Sequence, residues 1–217
     1  MRMTISKGDI EIIEALGNHI QVHIGAIAMV FHEKVSPDIH VDIYHVAPSS
    51  NRPFHTLVSC GMSESAMTVP HGWEDGMFAE VMMCLPEAWP VNMEAFKFEK
   101  NYWPVRTLKA LARYPHENKT WLYAGHSIAW GAPPKPVANG TKLNSVLIRH
   151  ARLLSPDATV VRMERGKEIR LWAALPLYTE ESEFKDRNGF AALDELLDEN
   201  NITELLDASR LNVALRH

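Results

Sequence analysis

The chain has 217 residues, 46% of them hydrophobic and 23% charged, with a formal net charge of −5. That combination fits one large domain with a sizeable core, and it excludes disordered, collagen-like and disulfide-dense classes. No run approaches the roughly 18 apolar residues of a membrane span, and no basic start precedes an apolar stretch, so we expect a cytoplasmic protein without a membrane partner.

In chain order, Ser6-Lys7-Gly8-Asp9 has the form of a helix N-cap with an acid three residues on. Ile10, Ile13 and Leu16 follow at helical spacing, which predicts a helix stopped by Gly17-Asn18. His23 to His32 is strand-like. Ile39 to Tyr44 alternates, with Ile39, Val41 and Ile43 on one face and His40, Asp42 and Tyr44 on the other. After the turn-forming Pro48 to Pro53, Phe54 to Cys60 makes a third strand and Phe78 to Leu85 a fourth. These are expected to pair as consecutive antiparallel strands. Glu80 is an acid inside that fourth, otherwise apolar run, and a carboxylate in such a place needs a partner or solvent.

From Tyr102 the period changes to that of a helix through Val105, Leu108, Leu111 and Ala112, with Pro104 in its first turn and Pro115 near its end. Beyond a Pro-rich loop that is a candidate hinge, Ser145 to Ile148, Thr159 to Met163 and Ile169 to Leu177 are predicted strands, the last two joined at Arg165-Gly166. Two or three short helices follow, broken at Asn188-Gly189 and restarted at Asn201, where Glu204 completes a capping box. Runs of strands with helices at the start, middle and end give an α+β fold around a mixed, mostly antiparallel sheet with flanking helices, in a single domain over 1–217.

Charge is unevenly spread. From Thr179 to Asp207 there are ten acids against Lys185 and Arg187, a net −8, while the remaining 20 bases and 17 acids give +3. A solvated helical face explains such a run, and so does an acidic surface for a basic partner. Both readings argue against direct nucleic-acid binding, which calls for a basic stripe.

Gly125-His126-Ser127 superficially matches the nucleophile elbow of a serine hydrolase. The second elbow glycine is replaced by Ala129, and Pro133, Pro134 and Pro136 stand where a helix should begin. An acid and then a histidine should also follow the serine, yet only His150 and His217 remain downstream. Eleven histidines invite a metal, but only His40 and Asp42 share a strand face, and there is neither a His-x-x-x-His helix nor a Cys-x-x-Cys pair. We therefore expect no metal and no cofactor. Cys60 and Cys84 lie in apolar runs and are expected to be reduced core thiols. Of the six tryptophans, several fall in loops or at strand ends, where core packing and a binding surface are both open readings.

These residues, taken together, resemble the suppressor-of-fused family in its bacterial single-domain form. The resemblance is carried by His40 to Tyr44, by Phe54 with Thr56 to Ser63, by Ala79 to Pro86 and by Trp103 to Arg113. Further matches are Pro115-His116-Glu117, Thr120-Trp121-Leu122, Gly125 to Ile128 and Leu175 to Tyr178, running into Glu181, Glu183 and Lys185. They span roughly residues 35–200 in order, with the acidic helices at 179–217.

The family is not a hydrolase, and the resemblance implies protein binding. It makes Gly125-His126-Ser127 part of a strand, Glu80 the match to an acidic strand position and Glu64 the match to an aspartate. The expected contacts to a protein partner are Asp42, Tyr44, Glu64, Glu80, Trp121 and His126, with Glu195, Asp198 and Glu199 on the acidic tail. Bacterial relatives are viewed as immunity proteins of polymorphic toxin systems, so the expected partner is a toxin domain with a basic surface. A regulatory adaptor without a toxin is the alternative, and an enzyme at a His40, Asp42, Glu80 and His126 cluster is the third.

Overall fold

The computed structural model describes residues 9–33 and 39–216, apart from the side chains of Arg165 and Arg216. Helix α1 is Ile10–His23, and strands β1 (Ile27–Phe31), β2 (Asp42–Val46), β3 (Phe54–Cys60) and β4 (Ala79–Pro86) follow it. Helix α2 (Glu99–Glu117) leads to β5 (Ser127–Ala129), β6 (Ser145–Arg149), β7 (Val160–Arg162) and β8 (Glu168–Leu177), and then to α3 (Thr179–Asn188) and α4 (Phe190–Glu199). The sheet order is β1-β2-β3-β4-β8-β6-β5, with β7 also on β8. Every pairing is antiparallel except β4 with β8, so the sheet is mixed and mostly antiparallel.

The sheet is covered on both faces, which sorts successive side chains into different cores. Val81, Met83 and Leu85 of β4 pack with Leu108, Leu111 and Ala112 of α2. Met82 and Cys84, one residue out of phase, pack with Ile12, Leu16 and Ile20 of α1. Leu147, Leu175 and Leu177 meet Leu193, Leu196 and Leu197 of α4 on the α1 side. Truncating one of the fully buried leucines, such as Leu108, to alanine costs about 2–5 kcal/mol. Both cysteines are free and buried within the α1-side core.

Several boundaries differ from the sequence reading. Ser6 lies outside the described residues, and the cap is Asp9, whose side chain accepts from the amides of Glu11 and Ile12. Gly17-Asn18 does not end α1. The apolar stripe continues from Leu16 to Ile20, both fully buried, and that packing outweighs the roughly 1 kcal/mol a helical glycine costs. Helix therefore takes His23, and β1 begins at Ile27. Pro104 sits in the second turn of α2, because the helix starts at Glu99.

The helix expected after Asn201 does not form. Its capping acid, Glu204, instead accepts the amides of Arg152 and Leu153, and the adjoining backbone pairs with β4 through Cys84. The Pro-rich loop is tied down rather than free: Val137 and Ala138 are buried, and Arg106 donates to the Val137 carbonyl. Among the described residues no helix is long and apolar enough to cross a membrane.

Candidate functional site

The nine side chains expected to meet a partner fall in three places. Asp42, Tyr44, Glu64 and Glu80 lie together on the α1 side. Glu80 is fully enclosed, and its carboxylate accepts from the hydroxyls of Ser59 at 2.5 Å and Ser63 at 2.7 Å. It also accepts from the amides of Gly61 and Ser63, each at 3.0 Å. Gly61 adopts φ +136°, and a Cβ there would lie 1.9 Å from the His40 carbonyl oxygen, so a glycine is needed for the chain to wrap the carboxylate. Glu80 thus ties β4 to the end of β3.

Tyr44 is likewise covered, by α1. Its hydroxyl donates to the Ile13 carbonyl at 3.3 Å, and burial pushes the phenol far above its ordinary range. Asp42 accepts from the Glu33 amide and contacts ring nitrogens of His32 and His40, both at 2.8 Å. Glu64, half-buried, accepts the Asp9 amide at the start of α1, and burial raises its carboxyl. No hydrogen bond or ion pair among the described residues joins His126 to His40, Asp42 or Glu80, so the four-residue catalytic cluster is not assembled. Nor does any group of three metal-ligating side chains occur among them.

The second place is α4, where acids form two i, i+4 rows. Asp194 and Asp198 reach toward β6, Asp198 while remaining exposed. Arg149, a wholly buried guanidinium on β6, contacts Asp198 at 2.5 Å and Asp194 at 3.0 Å, and Arg152 reaches both as well. The Arg152 hydrogen bonds hold the Asp198 carboxyl below its ordinary value. Glu195 and Glu199, one position on and therefore turned about 100° around the helix, are exposed and have no ion-pair partner among the described residues. In the neighbouring helix Glu181 is fully buried against Arg210, with two contacts at 2.6 Å. The run of ten acids is thus partly internal scaffold, and Glu195 and Glu199 are its free outer edge.

The third place is an aromatic ladder. After α2 the chain reverses at Lys119, with φ 49°, and Thr120 donates to the Pro115 carbonyl. Leu122 then plugs into the core, leaving Trp121 and Tyr123 partly exposed on either side of it. Trp73 stacks edge-on against both, with centroids at 5.2 and 5.1 Å. This approach depends on Gly76, where a Cβ would sit 3.1 Å from the Tyr123 ring.

Trp121 meets His126 at 4.9 Å, Tyr123 meets the buried Trp172 at 4.9 Å, and Trp172 meets His150 at 5.0 Å. The ladder ends at His150, whose imidazole is lowered by burial. Its outer members are exposed, Trp73 by 44%, whereas the Trp172 indole N–H is buried and has no acceptor among the described residues. Burial also lowers the His126 imidazole, whose Nδ1 lies 3.3 Å from the Trp121 carbonyl oxygen.

Gly125 takes φ +95° with the Phe190 ring 3.0 Å from where its Cβ would be, and Ser127 opens β5 at the sheet edge with no helix behind it. The Gly-His-Ser stretch is therefore a turn into an edge strand under α4. The sequence reading chose Trp121 and His126 but passed over Trp73, Tyr123, Trp172 and His150. Their common signal, aromatic residues at loop and strand ends, was visible, but the pairing between distant segments was not.

The mixed, mostly antiparallel sheet with helices on both faces is the fold of the suppressor-of-fused type. The family model for suppressor of fused protein matches residues 37–211, and the chain belongs to that family. Among solved structures, a suppressor-of-fused homologue from Neisseria gonorrhoeae FA 1090 superposes with a TM-score of 0.67 at 17% identity, covering 94% of this chain and 98% of that one. A chain of the Sufu–Fu complex gives 0.62 at 16% identity, covering 97% and 93%. Drosophila Suppressor of Fused gives 0.54 at 16% identity, and the match covers 80% of this chain and 42% of that longer one. Among curated proteins none matches the chain.

Proposed function

We propose that this protein is a cytoplasmic, non-catalytic binding module that sequesters a protein partner, and that the partner is a toxin domain with a basic surface. The observation that carries the reading is the partly exposed Trp73-Trp121-Tyr123 ladder. Aromatic side chains that are fixed by one another and half open to water offer large contact area at small entropic cost, as interface anchors do. On α4, Glu195 and Glu199 supply unpaired negative charge that speeds the approach of a cationic surface. The similar fold in the Sufu–Fu complex supports a binding role.

In this reading Trp121, His126, Glu195 and Glu199 touch the partner. Asp198 acts through its hold on Arg149 and Arg152, while Asp42, Tyr44, Glu64 and Glu80 shape the far end of the sheet.

The test begins with a tagged pull-down from the native cell, followed by titration of the purified partner against variants at two salt concentrations. Trp73→Ala with Trp121→Ala is expected to raise Kd at least about tenfold at both salts. Glu195→Lys with Glu199→Lys is expected to slow association chiefly at low salt, where charges are least screened. A partner that binds both double variants as well as the parent protein places the interface elsewhere. A partner without toxin activity makes the protein a regulatory adaptor.

A further inference from the structure

A groove of about 620 Å³ lies between α2, β1 and the segment 93–97, remote in the fold from the aromatic ladder. Its walls are apolar: Phe31 from the sheet, Phe96 from the segment, and Tyr102 and Val105 from α2. Phe96 meets Phe31 at 4.8 Å and Tyr102 at 5.7 Å, which fixes the two long sides. Lys109 stands one turn beyond Val105 on the same face of α2 and lines the groove.

That lysine is mostly buried along its length, and no hydrogen bond or ion pair of its ammonium occurs among the described residues. The acids that influence it are already engaged. Glu33 is paired with Arg113, and Asp42 with His32 and His40. Lys97, the other cation at the groove, is paired with Glu94 at 2.6 Å. Partial burial depresses the affinity of Lys109 for a proton.

We propose that this groove binds a small amphipathic monocarboxylate, its apolar body against Phe31, Phe96 and Val105 and its carboxylate on the Lys109 ammonium. The volume falls in the range of small-molecule sites, about 300–1,000 Å³, and apolar walls around one fixed polar group are their usual chemistry. One unpaired cation matches one negative charge. A phosphate dianion would find no second free cation. The bond that forms is a charge-assisted hydrogen bond in a partly desolvated site, where such bonds are strong. This site is independent of the partner surface, so either can fail without the other.

The test uses the full chain, titrated by amide NMR with sodium octanoate and, as the uncharged control, 1-octanol. Octanoate is expected to shift resonances of Val30 to His32, Met93 to Lys97 and Tyr102 to Lys109 saturably, binding at least about tenfold tighter than the alcohol. Lys109→Met, which keeps the apolar stem, is expected to abolish that preference, whereas Lys97→Met leaves octanoate affinity within about twofold. Saturable shifts absent from the groove up to about 10 mM, equal affinity for acid and alcohol, or undiminished octanoate binding by Lys109→Met would each overturn the proposal. The acid-to-alcohol comparison needs no substitution, so it decides the matter even if a variant folds poorly.

Discussion

Glu80 and Glu195 are both acids with an apolar residue next in sequence, yet they occupy opposite extremes of burial. Glu80 is wholly enclosed, with four donors on its two oxygens from Ser59, Gly61 and Ser63. Glu195 stands in solvent on the outer row of α4, one residue from an aspartate that grips a buried arginine. The difference teaches that a charge pattern locates acids along the chain, while the direction of each side chain decides whether it holds the fold or faces a partner. The same contrast separates Tyr44, sealed under α1, from Tyr123, open in the ladder.

The comparison breaks most visibly at Glu80. Glu80→Ala strands four donors in a dry junction and is expected to cost about 3 kcal/mol or more in urea unfolding, because each unsatisfied buried group costs about 1–3 kcal/mol. A loss below about 1 kcal/mol would mean that Glu80 resembles a surface acid after all. Next comes Arg149→Met. Removing the buried guanidinium leaves Asp194 and Asp198 with Arg152 alone and uncovers the Ile202 carbonyl, for an expected cost of about 2–3 kcal/mol. The companion expectation is that Asp198→Asn loosens α4, whereas Glu195→Gln does not, a contrast that hydrogen exchange of the helix can read.

A smaller effect is set by pH. His45 and His55, both buried, share a hydrogen bond of 2.8 Å, and burial lowers the His45 imidazole to about 4. Between its unfolded value near 6.5 and that folded value, the unfolded chain binds a proton the folded chain refuses, so stability rises with pH across this window. Acidification from pH 6.5 to pH 4 should therefore remove on the order of 2 kcal/mol at this site, and His45→Gln should flatten that part of the profile. An unchanged profile would place the acid sensitivity in other groups, such as Asp198, whose lowered carboxyl also contributes stability that is lost as pH falls. The smallest effect belongs to the outer acids. Glu195→Lys and Glu199→Lys should change unfolding free energy by less than about 0.5 kcal/mol, and a larger change would show that this row also serves the fold.

Much of the fold was legible. Phe54 to Cys60 and Phe78 to Leu85 fall within one residue of β3 and β4, because apolar, β-branched runs between turn residues leave few alternatives. The α2 stripe at Val105, Leu108, Leu111 and Ala112 was plain for the same kind of reason, and all four side chains are buried. The errors occurred where long-range packing outweighed a local signal. Gly17-Asn18 looks like a helix stop, but Ile20 has a core to fill. Asn201 with Glu204 looks like a cap, but the Arg152 and Leu153 amides offered that carboxylate a better place.

The candidate site was legible in kind and not in arrangement. Trp121 and His126 were chosen by resemblance, and the structure puts them in one ladder. Glu80 was chosen in the same way, and its environment differs because Gly61 and Ser63 fold back over it.

By itself the sequence determined most of the strands, the main helix and the concentration of acids near the end, since each follows from residues a few positions apart. Only the tertiary structure decided the parallel contact of β4 with β8, the burial of Arg149 against α4 and the meeting of Trp73 with Trp121. Those depend on which distant segments approach, and that is settled by the summed packing of the whole chain rather than by any local period.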